Sequence, residues 1–165
     1  MITLEQYFRG KPHPIAHEAN ANYLLGALNL YLHECVALGH YDWEIDPDTD
    51  SCISGAKGGS GDGGYRLPDS KTGAPSSSHR EAKGTDVCDT LRKLAAYCVT
   101  DAGKAHMKKR GLYMEDPRWT PVWCHFQLIA PRSGHRIYIP AMTRALAPDL
   151  PGQSPLPLAL QMEHA

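Results

Sequence analysis

The stretch from Asp46 to Ser78 most constrains what this chain can fold into. It is rich in glycine and serine, carries Pro47, Pro68 and Pro75, and offers only Ile53, Tyr65 and Leu67 as sizeable apolar side chains. Such a composition cannot build a core helix or a central strand. It reads as a long loop with short strands near Ser51–Ser54 and Tyr65–Leu67, and with a flexible insertion over 55–64. A loop of that length in a compact domain is usually functional or disordered. The core must therefore come from the segments on either side.

On the N-terminal side, Thr3 is placed to cap a short helix with Glu5 and Gln6 in its first turn. A longer helix is expected over 14–38, because Tyr23, Leu24, Leu28, Tyr31, Leu32 and Cys35 recur at three- and four-residue intervals. Gly39 ends it. On the C-terminal side the spacing predicts a strand over 85–88, then a helix over 89–103 capped by Asp89, with Leu91, Leu94, Ala95 and Cys98 facing inward. Further strands are expected over 111–114, 123–129 and 136–139. This order gives an α+β domain with helices on one face of a small antiparallel sheet. The domain is expected over 1–140, followed by an irregular Pro-rich tail over 141–165.

Composition removes several function classes. Net charge is −1 across 165 residues, which argues against a nucleic-acid partner. No apolar run approaches the roughly 20 residues of a membrane span, and the first residues lack the basic and apolar regions of a signal peptide. Synthesis in the cytoplasm is the expectation. The five cysteines are odd in number and form no Cys-x-x-Cys pair, so buried reduced thiols are expected rather than a disulfide framework.

The chemistry concentrates in Ser77-Ser78-His79-Arg80-Glu81-Ala82-Lys83-Gly84-Thr85-Asp86. His79 leaving a loop, a turn at Gly84 and Asp86 opening a strand would let the two side chains converge. His125, in Trp123-Cys124-His125-Phe126-Gln127, could bring a third ligand from a neighbouring strand. Two histidines and one carboxylate, with a fourth position left for water, recur in catalytic zinc sites. Spacing alone leaves other readings open: a solvated loop histidine at 79 and a core histidine at 125. His106 and His135 read as surface residues, and Cys124 should point away from the pocket of His125.

The stretch resembles the Ser-x-His-x-x-Gly-x-Ala-x-Asp motif of the zinc D-Ala-D-Ala carboxypeptidase and endopeptidase family, whose fold is shared with the Hedgehog signalling domain. Ser77, His79 and Asp86 match; Ala82 stands where the family usually has Gly, and Gly84 where it has Ala. Gly64-Tyr65-Arg66-Leu67-Pro68 is similar to the family's Ser-Gly-Tyr-Arg-Pro segment. Ile2-Thr3-Leu4-Glu5-Gln6-Tyr7-Phe8, and the order of segments from Gly111 to Pro140, resemble phage-encoded members.

The resemblance implies zinc held by His79, Asp86 and His125, with Arg66 binding a substrate carboxylate. Ser77 and Tyr65 become candidate substrate contacts, though capping for Ser77 and core packing for Tyr65 and Trp123 are the plainer readings. The family's usual general base falls at Val122, which cannot transfer a proton, and Glu115 on the preceding expected strand is the substitute. The implied activity is hydrolysis of peptidoglycan stem peptides beside a D-amino acid, on the cell wall after release or from a virion. A non-catalytic zinc-bearing binding or structural protein is the alternative.

Overall fold

The computed structural model describes residues 1–139, so the expected tail over 141–165 lies outside the described residues. Two helices open the chain. The first, α1 (Leu4–Phe8), carries the expected cap as a full capping box: Gln6 N donates to Thr3 Oγ1, and Thr3 N donates to Gln6 Oε1. The second, α2 (Ile15–Ala37), buries Ala21, Leu24, Leu25, Leu28, Tyr31, Leu32 and Cys35, whereas Tyr23 of the expected stripe is 69% exposed. Gly39, at φ 75°, ends it in a Schellman arrangement, with His40 N donating to Cys35 O and Gly39 N to Val36 O.

The expected helix over 89–103 divides into α3 (Lys93–Cys98) and α4 (Asp101–Lys109). Thr100 forces the break by accepting from Gly103 N and starting a new helix. Gly103 then lies inside α4, where a methyl group would sit 2.1 Å from the Tyr97 carbonyl oxygen. Asp89 does act as a cap, but from outside the helix: its carboxylate accepts from Leu94 N and Ala95 N. Leu91, expected inside, is exposed.

The sheet contains β1 (Gly84–Cys88), β2 (Tyr113–Glu115), β3 (Trp123–Gln127) and β4 (Ile137–Tyr138), in the order β1-β3-β2-β4. β3 is antiparallel to both neighbours, but β4 runs parallel to β2, so the sheet is mixed rather than wholly antiparallel. The alternation of strand side chains divides its two faces. Thr85, Val87, Cys124, Phe126, Met114 and Ile137 share the face turned to the core, where Tyr31 of α2 meets Phe126 edge-on. The opposite face carries Asp86 and His125. Among the described residues no helix is long and apolar enough to cross a membrane.

The glycine-rich stretch is packed against the sheet rather than being a free insertion. The expected strand near Ser51–Ser54 reduces to isolated bridges, of which Ile53↔Val87 is antiparallel to β1, and the one expected near Tyr65–Leu67 does not form. Ser54 N donates to Asp86 O, Asp86 N to Gly63 O, and Cys88 N to Cys52 O, so this segment covers the outer edge of β1. Glycine is required where it does so. A methyl group on Gly63 would lie 2.4 Å from the Ser54 carbonyl oxygen and 3.0 Å from Asp86 Cβ.

Candidate metal centre

The sheet itself brings Asp86 and His125 together. They are direct partners in the β1–β3 ladder, and the backbone N–H and C=O of Asp86 are both engaged on the other edge of β1. The pair is therefore of the non-hydrogen-bonded kind, in which side chains approach most closely. His125 Nδ1 lies 2.7 Å from Asp86 Oδ1.

His79 arrives from the segment just before β1. It sits in a 3-10 turn (Ser78–Glu81) that ends on Ala82 at φ 55°. This left-handed residue turns the chain into β1 and aims the imidazole inward, with Nε2 3.3 Å from Asp86 Oδ1 and 3.1 Å from His125 Nδ1. All three side chains are nearly fully buried.

The hydrogen bonds on the far sides of the rings decide which nitrogens carry protons. His79 Nδ1 is 2.8 Å from the Gly64 carbonyl oxygen, which can only accept, so Nδ1 carries hydrogen and Nε2 of the neutral ring presents a lone pair. Close packing on α1 holds Gly64 in place, since a methyl group there would lie 2.5 Å from the Tyr7 carbonyl oxygen. His125 Nε2 faces Ser78 Oγ at 3.3 Å and Gln127 Oε1 at 3.4 Å.

Two imidazole nitrogens and a carboxylate oxygen thus converge on one point, their ligand atoms all within 4.8 Å of one another. Such a set needs either shared protons or a cation at its centre. Donors on a tetrahedral ion at about 2.0–2.1 Å stand about 3.3 Å apart, close to the 3.1 and 3.3 Å separations made by His79 Nε2, while His125 Nδ1 and Asp86 Oδ1 stand closer, at a hydrogen-bond distance of 2.7 Å. The residues present therefore fit a metal ion, and His79, Asp86 and His125 would hold it. His79 has the protonation state of a ligand, whereas His125 shares a proton with Asp86 that a metal ion would displace. Burial, outweighing Asp86, holds His79 below its ordinary value and keeps it neutral as a ligand must be. Burial would raise the Asp86 carboxyl, but His79 and the hydrogen bond from His125 outweigh it and hold it well below the usual carboxylate range. Burial opposes charge on His125 too, yet the Asp86 hydrogen bond and charge raise it.

Arg66 stands behind the ligands. Its Nη2 is 3.1 Å from Asp86 Oδ2 and its Nε donates to the Asp62 carbonyl, so the carboxylate it holds here is that of Asp86 itself. Tyr65 is not brought to the centre: it is buried among Phe8, His13 and His17, with its hydroxyl 3.1 Å from His17 Nδ1. Ser77 precedes the 3-10 turn without a side-chain capping bond, and Ser78 is the serine that reaches His125.

Glu115 ends β2. The register pairs Met114 with Phe126, and extending it by one residue sets Glu115 opposite His125. Glu115 is also the partner of Tyr138 on β4. One row of side-chain positions thus crosses all four strands: Asp86, His125, Glu115, Tyr138. Burial, more than the neighbouring charges, pushes the Glu115 carboxyl up to about 6. Val122 packs instead beside Gly59, where a methyl group would meet its Cγ2 at 2.6 Å.

Motif and spacing do not single out Ser78, Gln127 or Tyr138, all of which the fold brings to the centre or its surroundings. Gln127 carries a detectable signal, because it lies two residues from His125 on the same strand and therefore on the same face. His106 corrects another expectation. It is tucked against Tyr31, with Nε2 2.5 Å from Glu34 Oε2, and Arg110 binds the same carboxylate. His135 is exposed as expected. The five cysteines are free and buried. Comparison with protein-family models, curated proteins and solved structures gives no match.

Proposed function

We propose that this chain is a zinc metallopeptidase that cleaves peptidoglycan stem peptides next to a D-amino acid, in cell lysis or as a virion component. The observation that carries the reading is the convergence of His79 Nε2, His125 Nδ1 and Asp86 Oδ1, with the His79 tautomer fixed by Gly64. The motif order supports it as well. Ala82, where the resembling family has Gly, occupies the left-handed backbone region that favours glycine.

Zinc in such a site acidifies a water molecule and polarises the scissile carbonyl. The chain's own residues supply the remaining steps. Glu115, beside His125 in the row, takes the proton of the attacking water and returns it to the leaving amine. A carboxyl near 6 suits both the uptake and the return of that proton. Asp86 is held in orientation by Arg66, which also balances its charge.

A second reading, a non-catalytic metal-bearing binding protein on the same scaffold, is favoured by one observation. Arg66, the residue expected to hold a substrate carboxylate, is 7% exposed and is engaged by Asp86 and Asp62. The deciding experiment measures metal content and hydrolysis of purified peptidoglycan for the wild type, His79→Ala and Glu115→Gln. One zinc per chain with activity, both lost in His79→Ala and only activity lost in Glu115→Gln, supports the peptidase. Zinc without hydrolysis favours the binding protein. A wild type that takes up no zinc after reconstitution rejects both.

A further inference from the structure

His125 differs from His79 in how its outer nitrogen is held. A backbone carbonyl fixes the tautomer of His79. For His125 the nearest groups are a serine hydroxyl, which can donate or accept, and the side-chain amide of Gln127. The amide decides the matter only if its own orientation is fixed.

Two contacts fix it. Gln127 Nε2 donates to the Ile129 carbonyl oxygen at 2.6 Å, and that oxygen has no proton to give. The amide nitrogen must therefore face Ile129, leaving Oε1 to face the other way. There it accepts from the Tyr138 hydroxyl at 2.7 Å. Tyr138 reaches it from β4, two strands away from β3 in the sheet order. With Oε1 held as an acceptor, Nε2 carries an N–H towards it, and the proton that His125 Nδ1 shares with Asp86 Oδ1 at 2.7 Å is the one a metal ion would displace to gain the Nδ1 lone pair.

We infer that Gln127 and Tyr138 are positioning residues for the metal centre, with Tyr138 and Ile129 orienting the Gln127 amide and Gln127 Oε1 holding His125 in the tautomer that offers Nδ1 to a metal ion. The inference rests on the metal reading of His79, Asp86 and His125. Ser78 Oγ, at 3.3 Å, is a second acceptor for the same N–H. Partners of this kind outside the ligand set typically change metal affinity by about 10–100-fold when removed.

The test is zinc affinity, measured by chelator competition on the full chain, for the wild type, Gln127→Leu, Gln127→Glu and Tyr138→Phe. Amide-proton NMR spectra check that each variant is folded. Gln127→Leu removes the acceptor with little change of volume and is expected to weaken zinc binding by about 10–100-fold. Gln127→Glu keeps an acceptor oxygen but loses the donor to Ile129, and is expected to bind zinc more tightly than Gln127→Leu. Tyr138→Phe is expected to lie between them. A folded Gln127→Leu chain that binds zinc as tightly as the wild type, or a Gln127→Glu chain as weak as Gln127→Leu, overturns the positioning role while leaving the metal reading intact. A wild type that binds no zinc overturns both.

Discussion

Asp86 and His125 face one another as a non-hydrogen-bonded pair of adjacent antiparallel strands, and their side chains meet at 2.7 Å because the backbone of Asp86 is bonded to the opposite neighbour. Asp86 is also the sole carboxylate partner of the buried Arg66 among the described residues.

Replacing Asp86 by Asn therefore strands a buried guanidinium. Loss of one partner of a buried pair costs about 3–5 kcal/mol. Asp86→Asn is expected to lower the unfolding free energy of the metal-free chain by that amount, read from a shifted urea midpoint at unchanged slope. A loss below about 1 kcal/mol would show that Arg66 finds another partner.

The acid response of the metal-free chain follows from the same carboxyl. Its folded value lies below the ordinary one, so its contribution to stability is complete above the ordinary carboxylate value and is lost as pH falls towards the folded one. Thermal melts of wild type and Asp86→Asn should accordingly converge as pH is lowered.

Glu115 has the opposite sign. Its carboxyl is raised to about 6 by burial, so the folded chain holds this proton more tightly than the unfolded chain does. Stability from this group is present at low pH and is lost as pH rises through about 6. In the proposed reaction the base must be ionised, so kcat/KM should rise with pH along a limb at or below about 6, the cation drawing the value down. Glu115→Gln should cost about 10²–10⁴-fold in rate and remove that limb. A limb that survives in the variant assigns the base elsewhere.

Gly84 and Ser78 share one space. A methyl group on Gly84 would stand 2.1 Å from Ser78 Oγ and 3.2 Å from His125 Cε1. Gly84→Ala alone should destabilise by about 1–3 kcal/mol through overpacking. Combined with Ser78→Gly, the loss should be smaller than the sum, with a coupling of about 0.5–3 kcal/mol in a denaturation cycle. Additive losses would mean that the two positions do not compete.

All five thiols are buried, and burial raises those of Cys35, Cys52, Cys88, Cys98 and Cys124 above the ordinary value. The native chain should react with a disulfide reagent far more slowly than the urea-unfolded chain, which should release five equivalents. A rapid native equivalent would reveal local opening around one of them.

The parts of the fold legible in the sequence are those specified by neighbouring residues. Thr3 and Gln6 are a capping box on their own, and Gly39 is a left-handed helix end, whereas the motif only suggests that Asp86 and His125 converge and the β1–β3 register sets them on one face. What escapes depends on distant partners. Apolar periodicity runs through Thr100, and only the competition between its cap and the existing helix breaks the segment there. The parallel pairing of Met114 with Ile137 depends on how the intervening chain returns. Glycines between 55 and 64 suggest freedom until β1 supplies hydrogen bonds for the backbone beside them. Tyr138 and Gln127 become partners only through strand order, and Tyr65 matches a motif whose aromatic the fold uses for packing.

The row from Asp86 to Tyr138 has unlike ends. The glycine-rich segment seals the Asp86 end, whereas Glu115 and Tyr138 are only half-buried. Exposure is therefore greater at the Glu115–Tyr138 end of the row than at the Asp86–His125 end, so a substrate of the proposed reaction that approached from that end would meet phenol and carboxyl before imidazole.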